Sequence, residues 1–301
     1  MWFKQLRFFI LPENNNIKIN ELEEVLSQHI FLPADGLSKS SEGFVPAFSF
    51  TDELVFSVDK SHRIALKKQE KIIPTSAVND LLAQKISEIQ LRENRDVGRR
   101  EKKELKENIF DDLLPRALSK STRTQLIWNQ KHQMLLVDSA NANRAESILS
   151  HLREALGGLD AKLPNTVISP TVLMTQWLSN GSADGFFQLN NSCELKSEAN
   201  DNKAVIRISG QDLSCDEVIT HLKKGKFVSQ LGLVWKDKIS FVLSSDFSLK
   251  RICFLDEILE EVAENGEDAE SIAATSQILI SENLCELVEE LIVLLGGLTS
   301  K

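Results

Sequence analysis

Residues 227–254 read FVSQLGLVWKDKISFVLSSDFSLKRICF. Three runs in this stretch, Phe227–Trp235, Ile239–Leu243 and Leu249–Phe254, are rich in β-branched and aromatic residues, the composition of strands. The turn Lys236-Asp237-Lys238 is short and polar, and no connection here has room for a helix. Strands joined so closely must be antiparallel, because parallel neighbours need a crossover of a dozen or more residues. The stretch predicts a three-strand antiparallel meander.

The same pattern recurs on both sides. Residues 2–11 read as a strand. Leu54–Val58 and Arg63–Lys68 alternate around Asp59-Lys60-Ser61, a hairpin closed by Pro74. Gln125–Trp128 and Met134–Val137 form a second hairpin, and Val167–Leu173 and Ala204–Ile208 are strand-like. Helices intervene. Asn20 is the expected cap of a short helix that buries Leu22, Val25 and Leu26. Asn143 with Glu146 opens another, stopped by Gly157. Ser214 with Glu217 caps a third, ending at Gly225. Helix is expected again from about Leu255, where Ile252 to Lys301 carries 12 Asp/Glu and one Lys. Hairpins in place of βαβ units predict an α+β fold with mostly antiparallel sheets and packed helices.

From Ala77 the period becomes helical, with Val78, Leu81, Leu82, Ile86 and Ile89 on one stripe. Between Gln90 and Asn108 that stripe almost vanishes. Gly98 interrupts the run, so a projecting charged helical arm or two helices broken near Gly98 is expected, ended by Pro115. The division that follows is an N-terminal α+β unit of residues 1–75 and 116–160, an arm of 76–115, and a C-terminal α+β unit of 161–301 with an acidic helical tail.

Charge is uneven along the chain. Lys60 to Arg123 holds 16 Lys/Arg and 10 Asp/Glu, inside a chain of net charge −9. A cationic surface on an anionic protein faces a polyanion. Arg99, Arg100, Lys102 and Lys103 are phosphate-gripping candidates, against the plainer reading of a solvated helix with i,i+4 pairs. Arg116, Lys120 and Arg123 follow with no acid between them, interleaved with Ser119, Ser121 and Thr122, a donor mix suited to phosphate and sugar. Lys223 and Lys224 cluster at a helix end, where cations also complement the helix dipole. From Lys67 to Arg123 the only aromatic is Phe110, which favours backbone tracking of duplex over base stacking.

Other classes lack support. The chain has no Gly-rich nucleotide loop, no HExxH and no GxSxG. Four scattered cysteines fit reduced thiols in the cytosol, and neither they nor the five histidines predict a metal site. No signal peptide or membrane span is expected. The expectation is a non-enzyme with no catalytic residue, cofactor or metal. An unrecognised nuclease, the third reading, would need a divalent metal.

WFKQL near the N-terminus, GFVPAF at 43–48, EKIIP at 70–74, LLPRALS at 113–119, LLVDSANANRAESIL at 135–149 and LREALG at 152–157 resemble, in order and spacing, the recombination-associated RdgC family of proteobacteria. QWLSNGSADGFFQL, VIRISGQDLS, HLKKGKFVSQLGLVW and SLKRICFLDE continue the resemblance over essentially the whole chain. It implies a DNA-binding protein without strong sequence preference, a ring-shaped homodimer with a cationic hole wide enough for duplex, associated with the nucleoid and restraining the RecA recombinase. By position it implies Arg116 and Gln211 as DNA-facing residues. Leu118 stands where family members often have Phe, at an implied dimer contact, and Ser209-Gly210 stand where they often have two lysines. The competing expectation is a dimeric scaffold, without DNA, whose charged arm docks protein partners.

Overall fold

The computed structural model describes residues 2–12, 21–36, 38–197, 204–265 and 268–299; Asn20, the expected first cap, lies outside them. Among the described residues eleven strands form one sheet: β1 (Gln5–Ile10), β2 (Ser40–Val45), β3 (Val55–Val58), β4 (Ser61–Ile72), β5 (Leu118–Asn129), β6 (Met134–Val137), β7 (Phe187–Ser197), β8 (Val205–Ser209), β9 (Lys226–Trp235), β10 (Ile239–Ser244) and β11 (Leu249–Phe254). Their order is β2-β4-β5-β6-β1-β11-β10-β9-β7-β8, with β3 also on β4. The pairings between these strands are antiparallel. The predicted meander is β9–β10–β11, and the class is α+β.

β1 is the seam of the sheet. On one edge it pairs β6, from Arg7↔Val137 to Ile10↔Met134. On the other it pairs β11 at Gln5↔Lys250 and Leu6↔Leu249, and Ile252 N–H donates to Lys4 O at 2.9 Å. Successive side chains of a strand face opposite ways. Leu6 and Phe8 therefore enter one core, with Trp177, Phe241 and Leu284. Phe9 enters a second core on the other face, with Leu22 and Leu26 of α1 (Leu22–Ser27) and Ile148 and Leu152 of α4 (Ala142–Leu156).

The other helices are α2 (Thr75–Glu93), α3 (Arg99–Leu113), α5 (Pro170–Asn180), α6 (Asp216–Lys223), α7 (Asp256–Asn265) and α8 (Ala269–Leu294). The acidic C-terminal region is not a solvated tail. α8 lies across the sheet and buries Ile280, Leu284, Leu287, Val288 and Leu291. Its polar groups are tethers. The buried Gln277 amide donates to Phe56 O at 3.2 Å and Ser61 O at 2.8 Å. Asn129 donates to Ser281 Oγ at 2.8 Å, and Trp235 Nε1 donates to Glu290 at 2.7 Å. Glu282 ion-pairs with Lys131 and Glu286 with Lys236.

Three local expectations change. Val167–Leu173 is not a strand: Ser169 caps α5 by accepting from Val172 N–H, and Pro170 occupies the first turn, where its missing N–H costs nothing. Asn141, not Asn143, caps α4, accepting from Arg144 N–H at 3.2 Å. Ser214 bonds Asp212 instead of capping α6, whose N-cap is Cys215. Gly157 does end α4, at φ +68°.

Arg63 is fully buried and stacks its guanidinium over Phe48 (5.1 Å) and Phe3 (5.5 Å). Burial pushes its pKa down to about 10. This cation is a core element and is unavailable to a ligand.

Gln277→Ala is expected to lower the unfolding free energy by about 1–3 kcal/mol, because two buried carbonyls lose their donor. Leu284→Ala should cost about 2–5 kcal/mol. Urea midpoints at unchanged m-value would read both. A Gln277→Ala protein as stable as its parent would show that packing alone seats α8.

Candidate nucleic-acid interface

The basic block folds into two connected parts, a helical hairpin and a long strand ribbon. β4 ends at Ile72 and Pro74 leads into α2. Asn94, at φ 47°, ends α2, and Gly98 precedes α3, so the chain takes the two-helix alternative. Arg95 ties the turn by bonding Glu93 and Glu101 at 2.7 Å each. α3 then runs into a 3-10 turn, Leu114–Arg116, and β5 begins at Leu118.

Sequence charge along α3 separates into two stripes. Arg100 pairs Glu104 at 3.1 Å and Lys103 approaches Glu107 at 3.7 Å. Such exposed pairs contribute about 0–1 kcal/mol, but they do occupy the cations. Arg99, Lys102 and Lys106 stand at i, i+3 and i+7, on one face of the helix. None of the three has an ion pair among the described residues. Lys39 joins this side, its Nζ 4.5 Å from the centre of the Phe110 ring, and with Lys103 and Lys106 it lines a hollow of about 530 Å³.

Arg116 is exposed in the 3-10 turn. The stretch after it is no loop. Leu118–Asn129 pairs in register with all of β4, from Ile72↔Leu118 to Ser61↔Asn129. Strand alternation then places Lys120 and Arg123 on opposite faces of the ribbon. The three cations of this stretch do not converge on one surface. Lys120 lies opposite Glu70, whereas Arg123 lies opposite Lys67. Arg123 is partly desolvated, which lowers its pKa, and no carboxylate pairs with it among the described residues. Leu118 is 81% exposed and faces the half-exposed Ile72.

Lys67 is the residue that sequence reasoning missed. It stands also opposite Gly43 of β2. A Cβ at Gly43 would lie 2.4 Å from the Phe31 Cα, so glycine is required there. The close approach brings the Phe31 ring to 4.3 Å from Lys67 Nζ. The Lys67–Arg123 pairing needed the register, which no local signal supplies.

The remaining candidates belong to the far half of the sheet. Lys223 and Lys224 are exposed at the C-terminal end of α6, as the dipole reading also requires. Gln211 donates to Cys215 Sγ at 3.2 Å and to Glu217 at 3.4 Å. It lines a cleft of about 670 Å³ with Gln188, Asn190, Asn191 and Asp212, which brings amides but no cation. Nearby, Glu194 holds Arg207 at 2.8 Å and Lys196 at 3.2 Å and accepts from Ser229 at 2.8 Å. Burial alone would raise the Glu194 pKa; these three partners outweigh it and hold the pKa at about 2. Arg207 and Lys196 are thereby neutralised.

Among the described residues, no cluster of three or more His, Cys, Asp or Glu is placed to hold a metal ion, and no helix is long and apolar enough to cross a membrane. All four cysteines are free thiols; burial pushes Cys193 up to about 11.

A family model described as "Putative exonuclease, RdgC" matches residues 1–298. The chain is 49% identical over 297 residues to the recombination-associated protein RdgC of Neisseria meningitidis serogroup B, covering 99% of each. It is 43% identical to that of Laribacter hongkongensis over 300 residues and 35% identical to that of Pseudoalteromonas translucida over 301, again with 99% of each chain covered.

The depressed Glu194 pKa adds stability that is complete above its ordinary 4.5 and is lost as the pH falls toward 2. Glu194→Gln should therefore be less stable than the parent at neutral pH, and the gap should close as the pH drops through that window. Urea midpoints of both proteins between pH 7 and pH 2.5 check this. A gap independent of pH would assign the loss to packing and not to charge.

Proposed function

This chain belongs to the RdgC family, and on that premise we propose that it is a sequence-nonspecific DNA-binding protein. It acts as a homodimer that encircles or clamps duplex and restrains RecA-type recombinase by occupying DNA during recombination and replication. It works in the cytoplasm, at the nucleoid, without catalysis or cofactor. Residues 76–115 serve as the arm, between a unit of 1–75 with 116–160 and a unit of 161–301.

One observation carries the reading: Arg99, Lys102 and Lys106, which no carboxylate neutralises among the described residues, line up on a single face of α3. Arg99, Lys102 and Lys106 span about 10 Å of one helix face at 1.5 Å per residue. Arg116 continues them to the ribbon. Cations so placed displace condensed counterions from a phosphate backbone, which gives affinity without base readout. Gln211 and the exposed Lys223 and Lys224 are secondary contacts. Leu118, with Ile72 opposite, serves as one contact of the dimer; a closed ring of two copies uses a second.

The Arg100–Glu104 and Lys103–Glu107 pairs favour the alternative in part, since a helix face of balanced charge suits a protein partner as well as water. Salt separates the two. For the DNA reading, log affinity for duplex falls linearly with log salt, and Arg99→Ala, Lys102→Ala and Lys106→Ala combined should reduce the slope by about 2.7, at about 0.9 per phosphate. The loss should be equal across unrelated sequences. Mobility-shift titrations at several salt concentrations measure it. An unchanged slope removes the α3 face from the interface, and no duplex binding at low salt removes the reading.

A further inference from the structure

We propose that Lys67 and Arg123 form an oxyanion pocket on the β4–β5 ribbon that receives a single phosphate group. Directly opposed residues of an antiparallel pair have Cβ atoms about 4.5–5.5 Å apart, and like charges so placed are destabilising. Elsewhere on this ribbon the charges are arranged favourably: Lys120 faces Glu70, and Lys68 bonds Glu42 and Glu70 at 2.8 and 2.9 Å. The Lys67↔Arg123 pair is the exception, and neither cation has an ion pair among the described residues.

The surroundings fit an anion. Both cations line one groove of about 460 Å³ with Ser49, Thr51 and Ser121. The hydroxyls can donate to oxygens between the two charges. An Arg fork and a Lys ammonium together suit a tetrahedral oxyanion. Asp52, which also lines the groove, ion-pairs with neither cation. Arg123 is partly desolvated, and no carboxylate pairs with it among the described residues. Phe31 fixes the Lys67 ammonium from the other side at 4.3 Å, so one partner is already positioned. Lys71, four residues along on the same face, is spent on Asp35 O and Gly36 O at 2.8 and 3.0 Å and does not belong to the pocket.

The phosphate could belong to a DNA backbone or be free, and the inference rests on the proposed function only for the first source. The test compares the parent with Lys67→Gln, Arg123→Gln and Lys67→Glu. The last variant turns the like-charge pair into an opposite-charge pair, so it should fold at least as stably as the parent. Thermal unfolding is followed in inorganic phosphate and in pyrophosphate against chloride of equal ionic strength, and duplex binding is followed against salt. In the parent, phosphate or pyrophosphate should raise the unfolding midpoint beyond the chloride control. Each variant should weaken that response about tenfold in apparent affinity. Where the source is DNA, the neutral variants also reduce the duplex salt slope by about 0.9. A phosphate response with an unchanged slope assigns the pocket to a free phosphate. A phosphate response in a parent that binds no duplex keeps the pocket and overturns the DNA reading. Parent and variants alike in both assays overturn the pocket and leave the DNA reading standing.

Discussion

The fold depends on the N-terminal strand lying between two half-sheets. Without β1, β6 and β11 would each present an open edge, a row of unpaired backbone groups that proteins avoid exposing. Both cores would also lose a wall, because Leu6 and Phe8 serve one and Phe9 the other. The ion pair of Arg7 with Asp246, next to the Arg7 bond to Ala140 O, sits at this seam. Arg7 is almost fully buried, so its desolvation must be offset by that partner, and Asp246 is itself held by Ser248 at 2.7 Å. The partners of β1 lie more than 120 and 240 residues downstream. A contact map of such range is slow to assemble, and it ties the two ends of the chain into one cooperative unit. α8 extends the same logic by bonding β3, β5 and β9 with side chains of one helix.

What could be read from the sequence was whatever local period and turn chemistry decide. The β9–β10–β11 meander and both hairpins announce themselves by apolar runs and polar turns. The helical hairpin announces itself by an apolar stripe that fades toward Gly98. At the start of α5 local composition and structure disagree: Val167, Ile168, Val172 and Leu173 look like a strand, although Ser169-Pro170 is a helix entrance. The outer half of β5, Leu118 to Arg123, carries no apolar alternation. It is a strand because β4 offers it a ladder of hydrogen bonds. Seam, register and α8 tethers join residues far apart in sequence, and no window of the chain contains both partners.

The electrostatic reading changes in the same way. Counting charges treats every Lys and Arg as free, but folding distributes them. Arg95, Arg100, Arg207, Lys196 and Lys236 are given to carboxylates, and Arg63 is given to the core. Acids are distributed too. Glu282, Glu286, Glu289 and Glu290 of α8 bond Lys131, Lys236, His132 and Trp235, so part of the net negative charge fastens the sheet to its helix. The cations left over are fewer than the composition gives: α3 keeps Arg99, Lys102 and Lys106, the ribbon keeps Lys67, Lys120 and Arg123, and others, Lys223 and Lys224 among them, lie on the far half of the sheet.

Helix and strand then impose different roles on those cations. Three residues at i, i+3 and i+7 of a helix share a face, so α3 can present a row of charges to an extended polyanion. Successive positions of a strand diverge, so the ribbon cannot line one surface with Lys120 and Arg123 together. A ribbon does something else well: it fixes two side chains across a ladder at a set spacing, as it does with Lys67 and Arg123. On the proposed reading, broad, sequence-blind affinity belongs to the hairpin. On the same reading the ribbon positions an individual phosphate, and the 3-10 turn that carries Arg116 is the joint between the two.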